Sequence, residues 1–275
     1  MRLKIGIRGH DLPNAPFDNI SDFIKSFKQF DLDYLQLVIN KSFVNPLDDN
    51  NLVCLANSLK ENNIRVAMIG AYFNMIHPDI DKFKKGYTYF EKSLQNANLF
   101  DCYLVGSETG SLNGDKWSYV EGNHTDEAYN KVKEVVKSLK EYGAIYSTYP
   151  LIEGAWNHVV YKPSLLKQLL DEAGLDCCTL DLYNYLNIDN YLDHVSIFKE
   201  ALALLKDKIK IIHIKDFVLQ DDKLVQVGIG KGIMNYQEIM PLIINNLPNA
   251  ILILEGVKKE DITSSIAYLR SYENE

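Results

Sequence analysis

Cysteine is scarce in this sequence. The four that occur, Cys54, Cys102, Cys177 and Cys178, form no CxxC pair. All fall in predicted helices or strands, which marks them as core thiols of a reducing compartment rather than a disulfide framework. Long apolar runs are missing too. None approaches the ~18 residues of a membrane span. The N-terminus enters a strand directly, without an apolar signal core. A soluble, cytoplasmic protein with no membrane partner is expected. Basic residues are outnumbered: 29 Lys and Arg stand against 37 Asp and Glu, a net charge of −8. The acids are spread along the chain. An acidic surface repels phosphate backbones, so nucleic acid is disfavoured as a partner. No linker or low-complexity tract interrupts the chain. What is present is 275 residues, 47% of them hydrophobic. That is enough to bury a full core, expected as one domain over residues 1–275.

Strands are predicted at residues 3–7, 34–38, 65–69, 102–105, 147–152, 177–180, 209–214 and 250–254. Helices alternate with them at 18–30, 48–62, 79–99, 126–142, 163–173, 191–205, 236–246 and 258–271. Stripes such as Phe23, Phe27 and Phe30, or Phe83, Tyr87, Phe90 and Leu94, have helical spacing. Pro163 suits a helical first turn. Residues 217–227 predict a hairpin turning at Asp221-Asp222. The Gly-, Ser- and Asn-rich stretch 106–125 is a long loop of the kind that carries function. Alternating strands and helices argue for a parallel sheet with right-handed crossovers. Eight such units at this length predict an α/β fold, a single-domain (β/α)8 TIM barrel. The alternative is an open doubly wound sheet.

Four of the apolar strands end in a polar residue. Residues 209–214 form an isoleucine-rich run broken by His213 and followed by Asp216. Strand 147–152 is closed by Glu153, strand 177–180 by Asp181 and strand 250–254 by Glu255. A buried parallel strand is nearly all Val, Ile and Leu, and a polar group there is costly unless paired or bound. These four lie at the C-terminal ends of strands 5 to 8, the face on which TIM barrels carry their sites. Three carboxylates and one imidazole form a mostly hard donor set for one divalent metal: Mn, Mg or Co, with Zn allowed. Strand-end acids also serve as bases or ion pairs in barrels without metal.

Candidate substrate contacts are His158, Asn184, Lys215, Glu108 and Arg8, all just beyond strand ends. Arg8 is the natural anion contact for a phosphate or carboxylate. Asp216 is expected to orient a ligand rather than bind metal. His77 is expected to cap the next helix. Tyr72, Phe73, Trp117 and Trp156 are candidate apolar walls, and His10, His124 and His194 are placed on the surface.

Glu153 followed by Trp156-Asn157-His158, the segment Leu180-Asp181-Leu182-Tyr183-Asn184, His213-Ile214-Lys215-Asp216, Gly228-Ile229-Gly230 and Leu254-Glu255-Gly256 occur in one order along the chain. Together they resemble the xylose isomerase-like TIM barrels, the sugar isomerase/epimerase superfamily that includes the family 2 AP endonucleases. The resemblance implies a divalent metal held by Glu153, Asp181, His213 and Glu255. It also implies that Glu153 and Glu255 act as acid and base. Epimerising or isomerising a sugar beside its carbonyl removes a carbon-bound proton and leaves an enediolate, which a divalent ion stabilises. The expected function is thus a metal-dependent sugar or sugar phosphate isomerase/epimerase. An inosose-type dehydratase on the same site is the alternative. A nuclease of this superfamily needs further histidines, where this chain has Gly70-Ala71-Tyr72, Gly106-Ser107-Glu108 and Asn184. Asn184 also departs from the epimerases that carry histidine there. A non-catalytic sugar-binding barrel would not need all four ligands. Self-association into a homo-oligomer is compatible with this reading.

Overall fold

The strands that the sequence predicts are present, most with shifted ends. The computed structural model describes residues 2–274. Its strands are β1 Ile5–Arg8, β2 Tyr34–Leu37, β3 Arg65–Gly70, β4 Leu104–Glu108, β5 Tyr149–Glu153, β6 Cys178–Asp181, β7 Ile209–Ile214, β8 Asp216–Gln220, β9 Lys223–Val227 and β10 Ile251–Leu254. Eight of them close a parallel barrel in the order β1-β10-β7-β6-β5-β4-β3-β2, while β8 and β9 form a separate hairpin. The helices among the described residues are α1 Ile20–Phe27, α2 Ile39–Ser42, α3 Asp49–Glu61, α4 Ile80–Asn96, α5 Asp126–Ile145, α6 Pro163–Ala173, α7 His194–Leu205, α8 Tyr236–Asn246 and α9 Ile262–Ser271. The (β/α)8 architecture expected from the alternation is therefore the one observed.

By compactness the chain divides into two units. One holds the residues up to Gly70, Leu99–Cys102 and those from Ile211 onward; the other holds Ala71–Asn98 and Tyr103–Lys210. In the first, β1 pairs with β2 and with β10. Arg8 stands opposite Gln36, Ile7 opposite Leu254, and Ile253 opposite His213. Ile5, Ile7, Leu35, Leu37, Ile211, Leu252 and Leu254 are buried, as a parallel strand covered on both faces requires. The β8/β9 hairpin turns at Asp221 and Asp222, with φ of 49° and 55°. Two successive left-handed residues are what the twist of a two-residue hairpin loop demands.

In the second unit, β4 and β5 run in register from Leu104 opposite Tyr149 to Glu108 opposite Glu153. The sequence predicts that β4 ends at residue 105, because Gly106 and Ser107 look like loop. Pairing overrides that local preference. Gly106 accepts from the Ala71 N–H, and the Ser107 hydroxyl bonds both the N–H and the carbonyl of Phe73. Glu108 is thus held on a strand. Helix α6 has the predicted bounds, opened by Pro163 and closed by Gly174 with φ of 66°. A left-handed closing residue is cheap only for glycine.

The long loop after β4 is tied down by buried amides. Asn74 accepts from the N–H groups of Ile76 and Ser111 and donates to the carbonyls of Ser111 and Gly114. Helix α4 is capped by Asp79, whose side chain accepts the N–H groups of Asp81 and Lys82, and not by His77 as expected; His77 Nδ1 accepts the N–H of Asp79 itself at 3.0 Å. Phe73 is not a pocket wall: it packs against Phe83, Tyr87 and Phe90 of α4. Nor are the three histidines placed on the surface exposed. His194 is buried with Nδ1 bonded to the Tyr191 carbonyl, and His124 stacks on Tyr161 at 3.8 Å. His10 is half-buried. Burial and the neighbouring Arg8 push its imidazole down to about 4.

Candidate metal centre

His213 sits one residue before the end of β7. Its Nε2 lies 2.8 Å from Oε1 of Gln36 on β2, and its Nδ1 lies 2.9 Å from Oε2 of Glu255. An amide oxygen only accepts, so His213 donates from Nε2 to Gln36, which fixes the ring and leaves Nδ1 facing the Glu255 carboxylate. A cation taking the place of that contact would be met by Nδ1. Gln36 is fully buried, and the sequence reading missed it. Its signal was the one that found His213, a polar residue within an apolar strand. The reading takes up polar residues on strands 5 to 8 alone, and Gln36 is on β2.

Glu255 follows β10 and is surrounded by cations. Its Oε1 accepts from Arg8 Nη1 at 2.9 Å and from Lys215 Nζ at 2.6 Å. Burial alone raises a carboxyl. Here Lys215, His213 and Arg8 together outweigh it and hold Glu255 well below the usual carboxylate range. Arg8 is itself oriented by Asp11, through Nε at 2.7 Å and Nη2 at 3.1 Å. Asp11 also accepts the N–H of Gly256 at 2.8 Å. The anion contact foreseen for Arg8 is therefore made within the protein, to Glu255 and Asp11.

Asp216 has a different task from the one expected. Its Oδ1 accepts the N–H groups of Phe217 and Met234, and its Oδ2 accepts those of Gly230 and Gly232. None of these partners is a candidate ligand. The carboxylate shapes the loop 228–234 instead. Gly232 comes so close that a Cβ there would stand 2.1 Å from Asp216 Oδ1.

On the second unit, Asn184 is the connecting residue. Its Nδ2 donates to Glu153 Oε1 at 2.7 Å and to Glu108 Oε1 at 3.3 Å, and its backbone N–H donates to Asp181 Oδ1 at 3.1 Å. His158 is buried with its ring edge-on to Trp117. Burial pushes this imidazole down to about 4, so it is neutral at physiological pH. Trp156 stacks on Tyr119, which is exposed at the loop tip.

One donor atom each from Glu153, Asp181 and His213 lie within 4.8 Å of one another, and all three residues are buried. Ligands bound at ~2.0–2.2 Å to one ion stand at most ~4.4 Å apart. The three are therefore close to the spacing that a single ion would draw together. Two carboxylates and an imidazole form a donor set that fits a divalent cation. Glu255 is outside this group of three and beside it, 2.9 Å from His213 Nδ1.

A family model described as "Xylose isomerase-like TIM barrel" matches residues 24–272. Among curated proteins none matches by sequence. Solved structures share the fold. A D-psicose 3-epimerase crystallised in the presence of D-fructose has a TM-score of 0.71 at 17% identity, covering 98% of this chain and 99% of that one. The probable 3-DHS dehydratase AsbF of petrobactin synthesis from Bacillus anthracis has a TM-score of 0.74 at 16% identity, covering 97% and 98%. A xylose isomerase-like TIM barrel protein from Mycobacterium smegmatis in complex with magnesium has a TM-score of 0.69 at 14% identity, covering 98% and 94%. At such identities the likeness shows the fold alone.

Proposed function

Because the chain belongs to the xylose isomerase-like TIM barrel family, we propose that it is a divalent-metal-dependent sugar isomerase or epimerase. The observation that carries this reading is the buried group of Glu153, Asp181 and His213. Glu255 completes the donor set in this proposal, and its anionic form is already secured by Arg8 and Lys215. A divalent cation bound by these residues would stabilise negative charge on substrate oxygens as a carbon-bound proton leaves. Mn, Mg and Co suit the oxygen-rich set best.

The protein's own groups divide the remaining work. Glu153 is the proton acceptor, aligned by the Asn184 amide. Glu255 faces Lys215 and Arg8 and takes part as a held anion that returns a proton only with their help. His158, Glu108 and Asn184 contact the sugar. Both an epimerase and a probable dehydratase share this fold, so either outcome is compatible with the scaffold.

The test is to purify the protein without added metal, determine bound divalent ions, and strip them with EDTA. Ketoses, aldoses and keto-inositols are then screened with Mn, Co, Mg or Zn restored. Turnover that vanishes with EDTA and returns with metal, at unchanged product mass, is the expected result. A product lighter by one water assigns a dehydratase. No stoichiometric metal, and no thermal shift on adding one, would sink the proposal.

A further inference from the structure

Two hydrogen-bond acceptors face each other beside the candidate centre. Nδ1 of His158 lies 3.9 Å from Oε1 of Glu108. The imidazole is 97% buried, its side chain only 3% exposed. It donates its one ring proton to the Trp117 main chain. The Trp117 carbonyl also receives Asn157 Nδ2 at 2.6 Å, and the Trp117 ring stands against the imidazole at 5.3 Å. The ring is therefore fixed, with its bare lone pair turned toward a carboxylate. That nitrogen has no hydrogen-bond partner. Glu108 is fixed as well, on β4 in register with Glu153 and bonded to the Asn184 amide.

A buried acceptor without a donor is costly, and in a native structure it calls for an explanation. A metal ligand role does not supply one, because Nδ1 of His158 is outside the compact donor group. Two acceptors 3.9 Å apart repel unless something with hydrogens to give stands against both. Resting on the sugar-enzyme reading above, we propose that Glu108 and His158 form a hydroxyl-reading subsite. They take the O–H groups of neighbouring hydroxyls on an uncharged sugar or cyclitol, and they reject a phosphate at that position. A phosphate dianion brings only acceptors and negative charge, so it meets a lone pair and a carboxylate. A hydroxyl pair supplies one proton to each. Sites built to bind a hydroxyl discriminate strongly against its absence, because their polar groups are then left unpaired.

The experiment follows the His158 ring by long-range ¹H–¹⁵N NMR of the full-length protein, assigned with His158→Gln. The probes are D-fructose, its monodeoxy analogues and sulfate, each added to metal-free and magnesium-loaded protein. D-fructose is expected to move the Nδ1 resonance toward its hydrogen-bonded position. At least one monodeoxy analogue is expected to leave it in place, and so is sulfate, which has no proton to give. Glu108→Gln, close to isosteric, should weaken the D-fructose response at least about tenfold in Kd. The proposal is overturned if D-fructose leaves the resonance where it was, if every deoxy analogue moves it equally, or if sulfate moves it as far as the sugar does. Turnover is not read, so an inactive protein that shows the response would lose the catalytic reading and keep the subsite.

Discussion

The two glutamates that the sequence pairs as acid and base live in opposite surroundings. Glu255 has three cationic or protonatable neighbours, Arg8, Lys215 and His213, within 2.9 Å of its oxygens. Glu153 is held at 2.7 Å by a neutral amide, in a unit whose nearby imidazole stays uncharged. One carboxylate is locked as an anion by charge; the other is oriented by a group that cannot titrate. When the environments of two acids differ this far, their roles differ. Within the proposed reaction, the comparison favours Glu153 as the proton acceptor and Glu255 as the anion that its cationic neighbours hold.

The strongest break in this comparison is Glu153→Gln. It should lower kcat by at least about 10³-fold, the usual size of a lost general base, with the far-UV spectrum unchanged. Near-normal turnover would remove Glu153 from the chemistry. Next comes Gln36→Leu, which frees the His213 tautomer. Metal affinity, followed by titration calorimetry, should fall ~10–100-fold, as for other partners of metal-binding histidines. Equal affinity would mean that Gln36 does not set the ring.

Stability should separate the two glutamates directly. In metal-free protein, Glu255→Gln leaves the buried Lys215 and the half-buried Arg8 against a neutral group. Urea unfolding should show a loss of about 3 kcal/mol. Glu153→Gln, which swaps one partner of a neutral amide, should cost less than about 1 kcal/mol. Equal losses would erase the contrast.

The smallest effect is in the pH dependence. Folded His158 takes up its proton near pH 4, against 6.5 for a free imidazole. The unfolded chain therefore binds a proton that the native state refuses, and stability falls as pH drops from about 6.5 to 4. The slope should be up to about 1.4 kcal/mol per pH unit from this residue, and His158→Gln should remove it. Glu255 behaves otherwise. Its depressed folded value preserves its contribution above the usual carboxylate range, and that contribution is lost only as pH falls below about 4.5.

The barrel was readable because eight apolar runs alternate with eight amphipathic stretches, and both periods are local. Glu153, Asp181 and His213, the three of the four candidate ligands that the structure groups, were readable for the same reason: each is a polar residue at the C-terminal end of an apolar strand. What stayed hidden depends on residues far apart in the chain. Arg8 meets Glu255 because β1 and β10 are neighbours, which no local pattern announces. Glu108 belongs to a strand because Ser107 and Gly106 bond across to residues 71–73, against their loop-like character. Asp216 was given a role beside the ligands because it follows His213 closely. Its actual partners lie up to 18 residues on, at Met234. Main-chain donors leave no mark in side-chain sequence.

Asp216 has one more consequence. The loop 228–234 takes much of its course from the N–H groups of Gly230, Gly232 and Met234, gathered with that of Phe217 on a single carboxylate. Ile233 lies exposed along it, while Lys231 reaches across to Asp261 at 2.5 Å. Such a loop is an evolvable one: much of its path is inherited from Asp216, so Ile233 is free to drift and acquire new contacts without the backbone having to be reinvented.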